Sequence, residues 1–196
     1  MKLNIVTNFR LKALVGAIVL GCLWWVQPHT QIPMFSNPHV AIEDIPIDSS
    51  NKETLRILKF KKQYWGVALM EEKAYGVPRE IKLAQAILEQ NAGKGKLAKK
   101  ANNHYSIKCF LKNCAPGHCI KHGKDKHNRY IVYKNPWESF RAHSLFLRDN
   151  PRYNNLFSHQ DYQSWAVGLK EAGYATDKNY DKLLIANIQK YHLYEQ

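Results

Sequence analysis

The stretch "VPREIKLAQAILEQNAGKGKLAKKA", Val77 to Ala101, decides the fold. Pro78 stands where the first turn of a helix tolerates proline. Apolar residues then follow with few polar side chains between them: Ile81, Leu83, Ala84, Ile87 and Leu88. The pattern predicts a helix at the centre of the core. This helix should end near Glu89, after which the sequence becomes rich in Gly and Lys.

Glu89 is placed unfavourably for a charged side chain. The C-terminal end of a helix carries partial negative charge, and the neighbouring Ile87 and Leu88 would partly remove water from the carboxylate. Both effects favour the protonated form, which a general acid needs near neutral pH. The alternative is a surface glutamate paired with Lys94 or Lys96.

Helical patterns lie on both sides of this segment. Upstream, Lys52 to Ala74 predicts an amphipathic helix ended by Gly76, with Leu55, Leu58, Trp65 and Leu69 on the apolar face and Lys59, Lys61, Lys62, Glu71 and Glu72 on the polar face. Downstream, Asn135, Pro136 and Glu138 have the spacing of a capping box. Two more helices are expected, "DYQSWAVGLKEAG", closed by Gly173, and "TDKNYDKLLIANIQKYHLY", opened by Thr176 or Asp177.

Between Asn91 and Lys134 the chain is rich in Gly, Lys, Asn, Cys and His, and we expect it to be irregular or hairpin-like. One β-like run, "RYIVY", spans Arg129 to Tyr133. The predicted fold class is therefore α+β, mainly α, with a small β-lobe that forms one wall of a cleft.

Asp125 is the only carboxylate between Glu89 and Glu138. Two carboxyl groups in different environments can divide an acid role from a charge-bearing role, as glycoside hydrolysis requires. The alternative is a turn residue or an ion-pair partner for Lys124 or Lys126.

Cys109, Cys114 and Cys119 lie in the same region, close to His118 and His122. They suggest either a zinc site or a disulfide. We favour one disulfide that involves Cys119 and leaves one thiol unpaired, because the ligand spacing is unusual for zinc and an exported domain oxidises its thiols.

The N-terminal residues indicate export. Lys2, Arg10 and Lys12 precede the apolar run "ALVGAIVLGCLWWV". We interpret residues 1–27 as a signal-anchor, with a cleaved signal peptide or a lipoprotein signal ending at Cys22 as alternatives. Residues 28–51 are interpreted as a linker and 52–196 as one domain in the cell envelope.

Lys and Arg outnumber Asp and Glu by 29 to 16, which favours anionic partners such as acidic wall polymers.

Four segments together resemble the glucosaminidase family of bacterial peptidoglycan hydrolases, glycoside hydrolase family 73. They are "VPREIKLAQAILEQNAGKGKLAKKANNHYSIKC", "YKNPWESFRAHSLFL", "RYNNLF" and "DYQSWAVGLKEAGYATDKNYDKLLIANIQKYHLY". The resemblance implies a lysozyme-like fold that cleaves the β-1,4 bond after N-acetylglucosamine without a metal or cofactor. It places the catalytic acid at Glu89.

The resemblance also implies roles for other residues. The second acid corresponds to Asp125, which would activate water or stabilise the oxocarbenium-like centre, unless the substrate's own acetamido group assists. Tyr174 would line the cleft, and Asn102 and Asn103 would shape it. From their residue type, Tyr105 and Tyr130 are further candidates for sugar stacking, whereas Trp165 is expected in the core.

One departure from the family follows Glu89. Relatives carry small residues there, but this chain has Gln90 and Asn91. Asn tolerates left-handed backbone angles, so the turn after Glu89 can form in this chain, although the activity can be reduced.

Two rival functions are considered: a catalytically weak or inactive peptidoglycan-binding module on the same fold, and a zinc-stabilised nucleic-acid binder. An export segment argues against nucleic acid as the partner.

Overall fold

The structure is a computed structural model that describes residues 47–110, 117–123 and 128–196. In chain order these ranges contain α1 (Lys52–Tyr75), α2 (Arg79–Gln90), α3 (Lys96–Ala101), β1 (Cys119–Lys121), β2 (Arg129–Ile131), α4 (Pro136–Arg148), a 3₁₀ segment (Pro151–Ser158), α5 (Tyr162–Glu171) and α6 (Tyr180–Lys190). None of the helices in these ranges has the length and apolar character needed to cross a membrane. The predicted export segment and most of the linker lie outside the described residues.

Helix α2 is the centre of the core, as predicted. Every residue from 81 to 87 is buried, and α2 packs against α1, α5 and α6. A helix that is surrounded on several sides needs apolar residues around most of its circumference. This central position fixes where the end of α2, and therefore Glu89, lies.

Most of the predicted helix ends are confirmed. The Asn135 side chain accepts a hydrogen bond from the Glu138 N–H at 3.0 Å, and the Glu138 carboxylate accepts one from the Lys134 N–H. Gly76 and Gly173 adopt left-handed angles, with φ of 74° and 68°, and follow the ends of α1 and α5.

The predicted start of the last helix was wrong. Helix α6 begins at Tyr180 rather than at Thr176 or Asp177. The Asp177 side chain instead accepts a hydrogen bond from the Asn179 N–H at 2.8 Å and closes a turn before the helix. The later start buries Tyr180.

The predicted faces of α1 also need correction. Trp65 is buried as predicted, but Leu55 is 42% exposed, and the buried face also carries Ile57, Phe60 and Ala68. Glu71, expected on the polar face, is fully buried. Its carboxylate accepts hydrogen bonds from Arg141 Nε at 2.9 Å and Trp137 Nε1 at 3.2 Å. These α4 donors make burial of the charge tolerable.

A second charged side chain, Lys82, is buried without any exposure on α2. Its Nζ donates to the Phe140 carbonyl at 2.9 Å and to Ser144 Oγ at 2.7 Å, and lies 3.3 Å from His143 Nδ1. Burial lowers the pKa of Lys82 to about 7, although the charge of Glu71 opposes this shift. The sequence analysis did not predict this network.

Strands β1 and β2 form the predicted antiparallel hairpin, with Cys119 opposite Ile131 and Ile120 opposite Tyr130. Cys109 and Cys119 form a disulfide with their Cα atoms 6.2 Å apart, which confirms the preferred pairing of Cys119. Cys114 lies outside the described residues. The disulfide removes two thiols from the zinc alternative, and within the described ranges no group of metal-binding side chains is found.

The region before the hairpin is more regular than predicted. Residues 96–101 form the short helix α3, which buries Leu97, Ala98 and Ala101. Six residues with three lysines carry too little periodic signal to distinguish a helix from a loop. Packing of these three apolar side chains therefore decides the conformation.

Candidate active site

Glu89 lies in the last turn of α2 and is half-buried. Burial raises the pKa of its carboxyl group, and a hydrogen bond with Ser106 opposes the shift. In the described part of the chain, none of the ion pairs includes Glu89. The surface pairing with Lys94 or Lys96 is therefore not observed, and the pKa of Glu89 is shifted in the direction that the sequence analysis expected.

The turn after Glu89 forms because Asn91 adopts left-handed backbone angles, with φ 49° and ψ 52°. Its N–H donates to the Ile87 carbonyl and ends α2. Ala92 follows with φ 47°. Two consecutive left-handed residues reverse the chain immediately after the carboxyl group, so α3 and residues 102–106 return toward it.

Gln90 is buried and connects the end of α2 to both returning segments. Its Nε2 donates to Ser106 Oγ at 2.7 Å, and its Oε1 accepts from the Ala98 N–H at 3.2 Å. A Cβ atom at Gly95 would collide with Gln90 Oε1. Gln90 therefore holds in place the hydroxyl that contacts Glu89, a role that sequence reasoning missed.

We expect Gln90→Ala to lower about tenfold the hydrolytic activity that the resemblance implies and to cost roughly 1–3 kcal/mol of stability, since it frees Ser106 Oγ and leaves the buried Ala98 N–H unpaired. The measurements are the initial rate on peptidoglycan and the thermal melting curve. Gln163→Ala, at a half-buried position on α5, is the matched control and should retain activity. Loss of stability at unchanged activity would show that Gln90 supports the fold alone.

Tyr174, which the resemblance implied would line the cleft, interacts electrostatically with Glu89. Its half-buried ring stacks on Tyr180 with centroids 5.6 Å apart and an interplanar angle of 19°. Burial raises the pKa of the Tyr174 phenol well above its usual value, and the charges of Tyr180 and Glu89 add to the shift. Tyr180, which sequence reasoning missed, is held by a 3.1 Å hydrogen bond from Gln85 Nε2.

Two of the predicted substrate-binding residues are structural instead. Tyr105 is only 3% exposed. Its ring stacks on His143 at 3.9 Å, and its hydroxyl donates to the Lys82 carbonyl. Asn103 is fully buried, and its amide donates to the carbonyls of Ile107 and Ile131. The polar groups of both side chains are therefore occupied inside the protein, which leaves little surface of Tyr105 for the sugar stacking expected of it and places Asn103 beneath the cleft that it was predicted to shape.

Asn102 and Asn103, which the resemblance implied would shape the cleft, connect the end of α3 to the hairpin. Asn102, half-buried with φ 50°, ends α3, and its amide donates to the Tyr133 carbonyl at 2.9 Å. Tyr130 lies half-buried on β2, with His122 edge-on to its ring. The hairpin is thus tied to the segment that carries Ser106. Asp125 lies outside the described residues.

A family model described as glucosaminidase, mannosyl-glycoprotein endo-beta-N-acetylglucosaminidase, matches residues 65–193. This match covers most of the chain, including every element from α2 to α6. The chain belongs to the glucosaminidase family. Glu89, Ser106 and Tyr174 all lie within the matched region.

Relatives of this family share the fold. The exo-glucosaminidase LytG of Bacillus subtilis is 33% identical over 141 residues, which are 65% of this chain and 48% of LytG. The glycoside hydrolase domain of Salmonella typhimurium FlgJ superposes with a TM-score of 0.59 at 28% identity, over 68% of this chain and 87% of that domain. A peptidoglycan hydrolase from Sphingomonas sp. A1 gives 0.59 at 26% identity, over 70% and 90%.

These neighbours confirm the predicted fold class, a mainly helical, lysozyme-like domain with a small two-stranded sheet. The chain spans about half the length of the curated relatives that it matches.

Proposed function

We propose that this protein is a peptidoglycan hydrolase that cleaves the β-1,4 glycosidic bond after N-acetylglucosamine. The observation that carries the proposal is the half-buried Glu89, whose pKa is raised by burial, in a chain of the glucosaminidase family. Its relatives include proteins named exo-glucosaminidase and peptidoglycan hydrolase, which supports this class of substrate.

In the proposed reaction, the protonated Glu89 donates its proton to the glycosidic oxygen as the bond from that oxygen to the anomeric carbon breaks. The bonding electrons leave with the oxygen, and the sugar acquires oxocarbenium character. Water then adds to the anomeric carbon. Asp125 is proposed to accept the proton of this water; the alternative is assistance by the acetamido group of the substrate.

The surroundings of Glu89 support the acid role. A general acid works best when its pKa lies close to the working pH, and burial moves the pKa of Glu89 in that direction. Tyr174 keeps part of its aromatic surface exposed although its ring stacks on Tyr180, and this part suits contact with the apolar face of a sugar ring.

We also propose that the protein works outside the cytoplasm and is held in the envelope by residues 1–27, with residues 28–51 as a linker and 52–196 as the hydrolase domain. The basic N-terminal flank and the apolar run from Ala13 to Val26 support this proposal.

Mass spectrometry of fragments released from purified peptidoglycan by the full chain tests the activity. We expect N-acetylglucosamine at the new reducing ends and, for an internal cut, fragments of several disaccharides early in digestion. N-acetylmuramic acid at the reducing ends would contradict the proposal and indicate a muramidase. Single sugar units from the start would indicate cleavage from chain ends.

A further inference from the structure

A groove of about 650 Å³ lies between the N-terminal half of α1, the turn after α2 and α3. Its lining includes five cationic side chains, Lys52, Arg56, Lys59, Lys94 and Lys99, and within the described residues no Asp or Glu contributes to it. Glu89, Ser106 and Tyr174 do not line it either. The groove therefore adjoins the candidate active site without including Glu89, and it shares with it Asn102 and the turn after Glu89.

Most of this positive charge is not neutralised by the protein. Arg56 forms an ion pair with Glu53 at 3.4 Å and donates to the Asn91 carbonyl. The four lysines are exposed, and in the ranges that the structure describes none of them takes part in an ion pair. Such a groove attracts an anionic ligand with more than one negative group.

The interior of the groove is aromatic. Phe60, Tyr64 and His104 line it, with the Phe60 and Tyr64 rings 4.6 Å apart and the Tyr64 and His104 rings 5.0 Å apart. His104 is only 3% exposed, and its Nδ1 has no hydrogen-bond partner among the described residues. A lysine rim over an aromatic interior fits a ligand that combines carboxylates with alkyl groups better than it fits a bare inorganic anion.

We propose that this groove is a second binding site, which holds the carboxylate-bearing peptide stems of peptidoglycan while Glu89 acts on the glycan. This inference rests on the proposed function, because the stems are attached to the same polymer. It assigns a separate role to the N-terminal half of α1. The groove would retain the enzyme on the wall between cuts.

The test compares binding of the full chain to intact insoluble peptidoglycan with its binding to the soluble glycan strands that remain after an amidase has removed the stems. Lys52→Glu/Lys59→Glu changes two exposed residues on α1. Its dissociation constant for intact peptidoglycan should rise about tenfold, while its weak binding to stripped glycan stays the same. Lys62→Glu/Lys182→Glu, the same charge change at exposed positions outside the groove, should bind intact peptidoglycan like wild type.

Equal losses in both double variants, or a loss that persists on stripped glycan, would overturn the inference. A loss of affinity that is confined to a phosphate-bearing wall polymer would overturn the proposal that the groove binds carboxylates. The thermal melting curves of Lys52→Gln/Lys59→Gln and of the charge-reversed variant are compared with that of wild type. This comparison shows whether the charge reversal has caused a folding defect. Cleavage of stripped glycan is measured in parallel. If the wild-type protein binds the stems in the groove but cleaves no glycan, the proposed function is contradicted while the proposed binding site is not.

Discussion

Glu89→Gln should reduce the rate of peptidoglycan cleavage by about 10²–10⁴-fold, the usual contribution of a general acid. Glutamine matches the size of glutamate and cannot donate a proton to the leaving oxygen at the required pKa. Binding to peptidoglycan should be retained, because the substitution leaves the shape of the site unchanged. The measurements are the rate of release of reducing ends and the affinity for insoluble peptidoglycan.

The same substitution should leave the fold intact or stabilise it. A carboxyl whose pKa is raised by burial destabilises the folded state at any pH at which it ionises. Glu89→Gln removes that cost, so the free energy of unfolding at pH 7 should equal or exceed that of wild type. A drop in activity therefore cannot be attributed to unfolding.

Glu80→Gln is the matched control. Glu80 also lies on α2, at its first turn, and burial raises its pKa as well. The Glu80→Gln variant should cleave peptidoglycan at the wild-type rate.

If wild type and Glu89→Gln are equally inert while both bind peptidoglycan, the protein is the catalytically inactive wall-binding module and the hydrolase proposal fails.

Lys82→Met should stabilise the protein by up to about 4 kcal/mol at pH 7, less what is lost with its hydrogen bonds to Phe140 and Ser144, because it removes a charge that the fold buries at a cost. The pKa of Lys82 is lowered from 10.5 to about 7 by burial. Below pH 7 both the folded and the unfolded chain carry the proton, so the full cost is present. Above pH 7 the folded chain releases the proton and the unfolded chain retains it.

The free energy of unfolding of wild type should therefore rise by up to about 4 kcal/mol from pH 7 to pH 10. Lys82→Met should lack this rise, and the two proteins should converge near pH 10. Denaturant unfolding at several pH values in this window measures the difference. The window excludes the titration of His143, whose pKa is lowered by burial, and of Tyr105, whose pKa is raised by burial.

Lys182→Met, an exposed position on α6, serves as the control and should keep the wild-type pH dependence. A Lys82→Met protein that is less stable than wild type at pH 7 would mean that the hydrogen bonds of Lys82 to Phe140 and Ser144 outweigh the cost of the buried charge. In that case Lys82 is a stabilising tie between α2 and α4.

The sequence alone determined the central helix, the capped start of α4 and the glycine-ended helices α1 and α5. These features arise from interactions within a few residues: the Asn135 cap, the left-handed glycines and the apolar spacing of α2. The position of Glu89 followed from them, since the end of α2 is itself a local feature. The participation of Cys119 in a disulfide was also predicted, but its partner Cys109 was decided by the tertiary structure.

Only the tertiary structure decided which polar groups are buried. Glu71 and Lys82 are enclosed because α4 supplies Arg141, Ser144 and the Phe140 carbonyl from about 60 to 70 residues away in sequence. Gln90 likewise acquires its role only when α3 and Ser106 return to the end of α2. Burial depends on partners that are distant along the chain, and a periodic pattern records only which face a residue occupies.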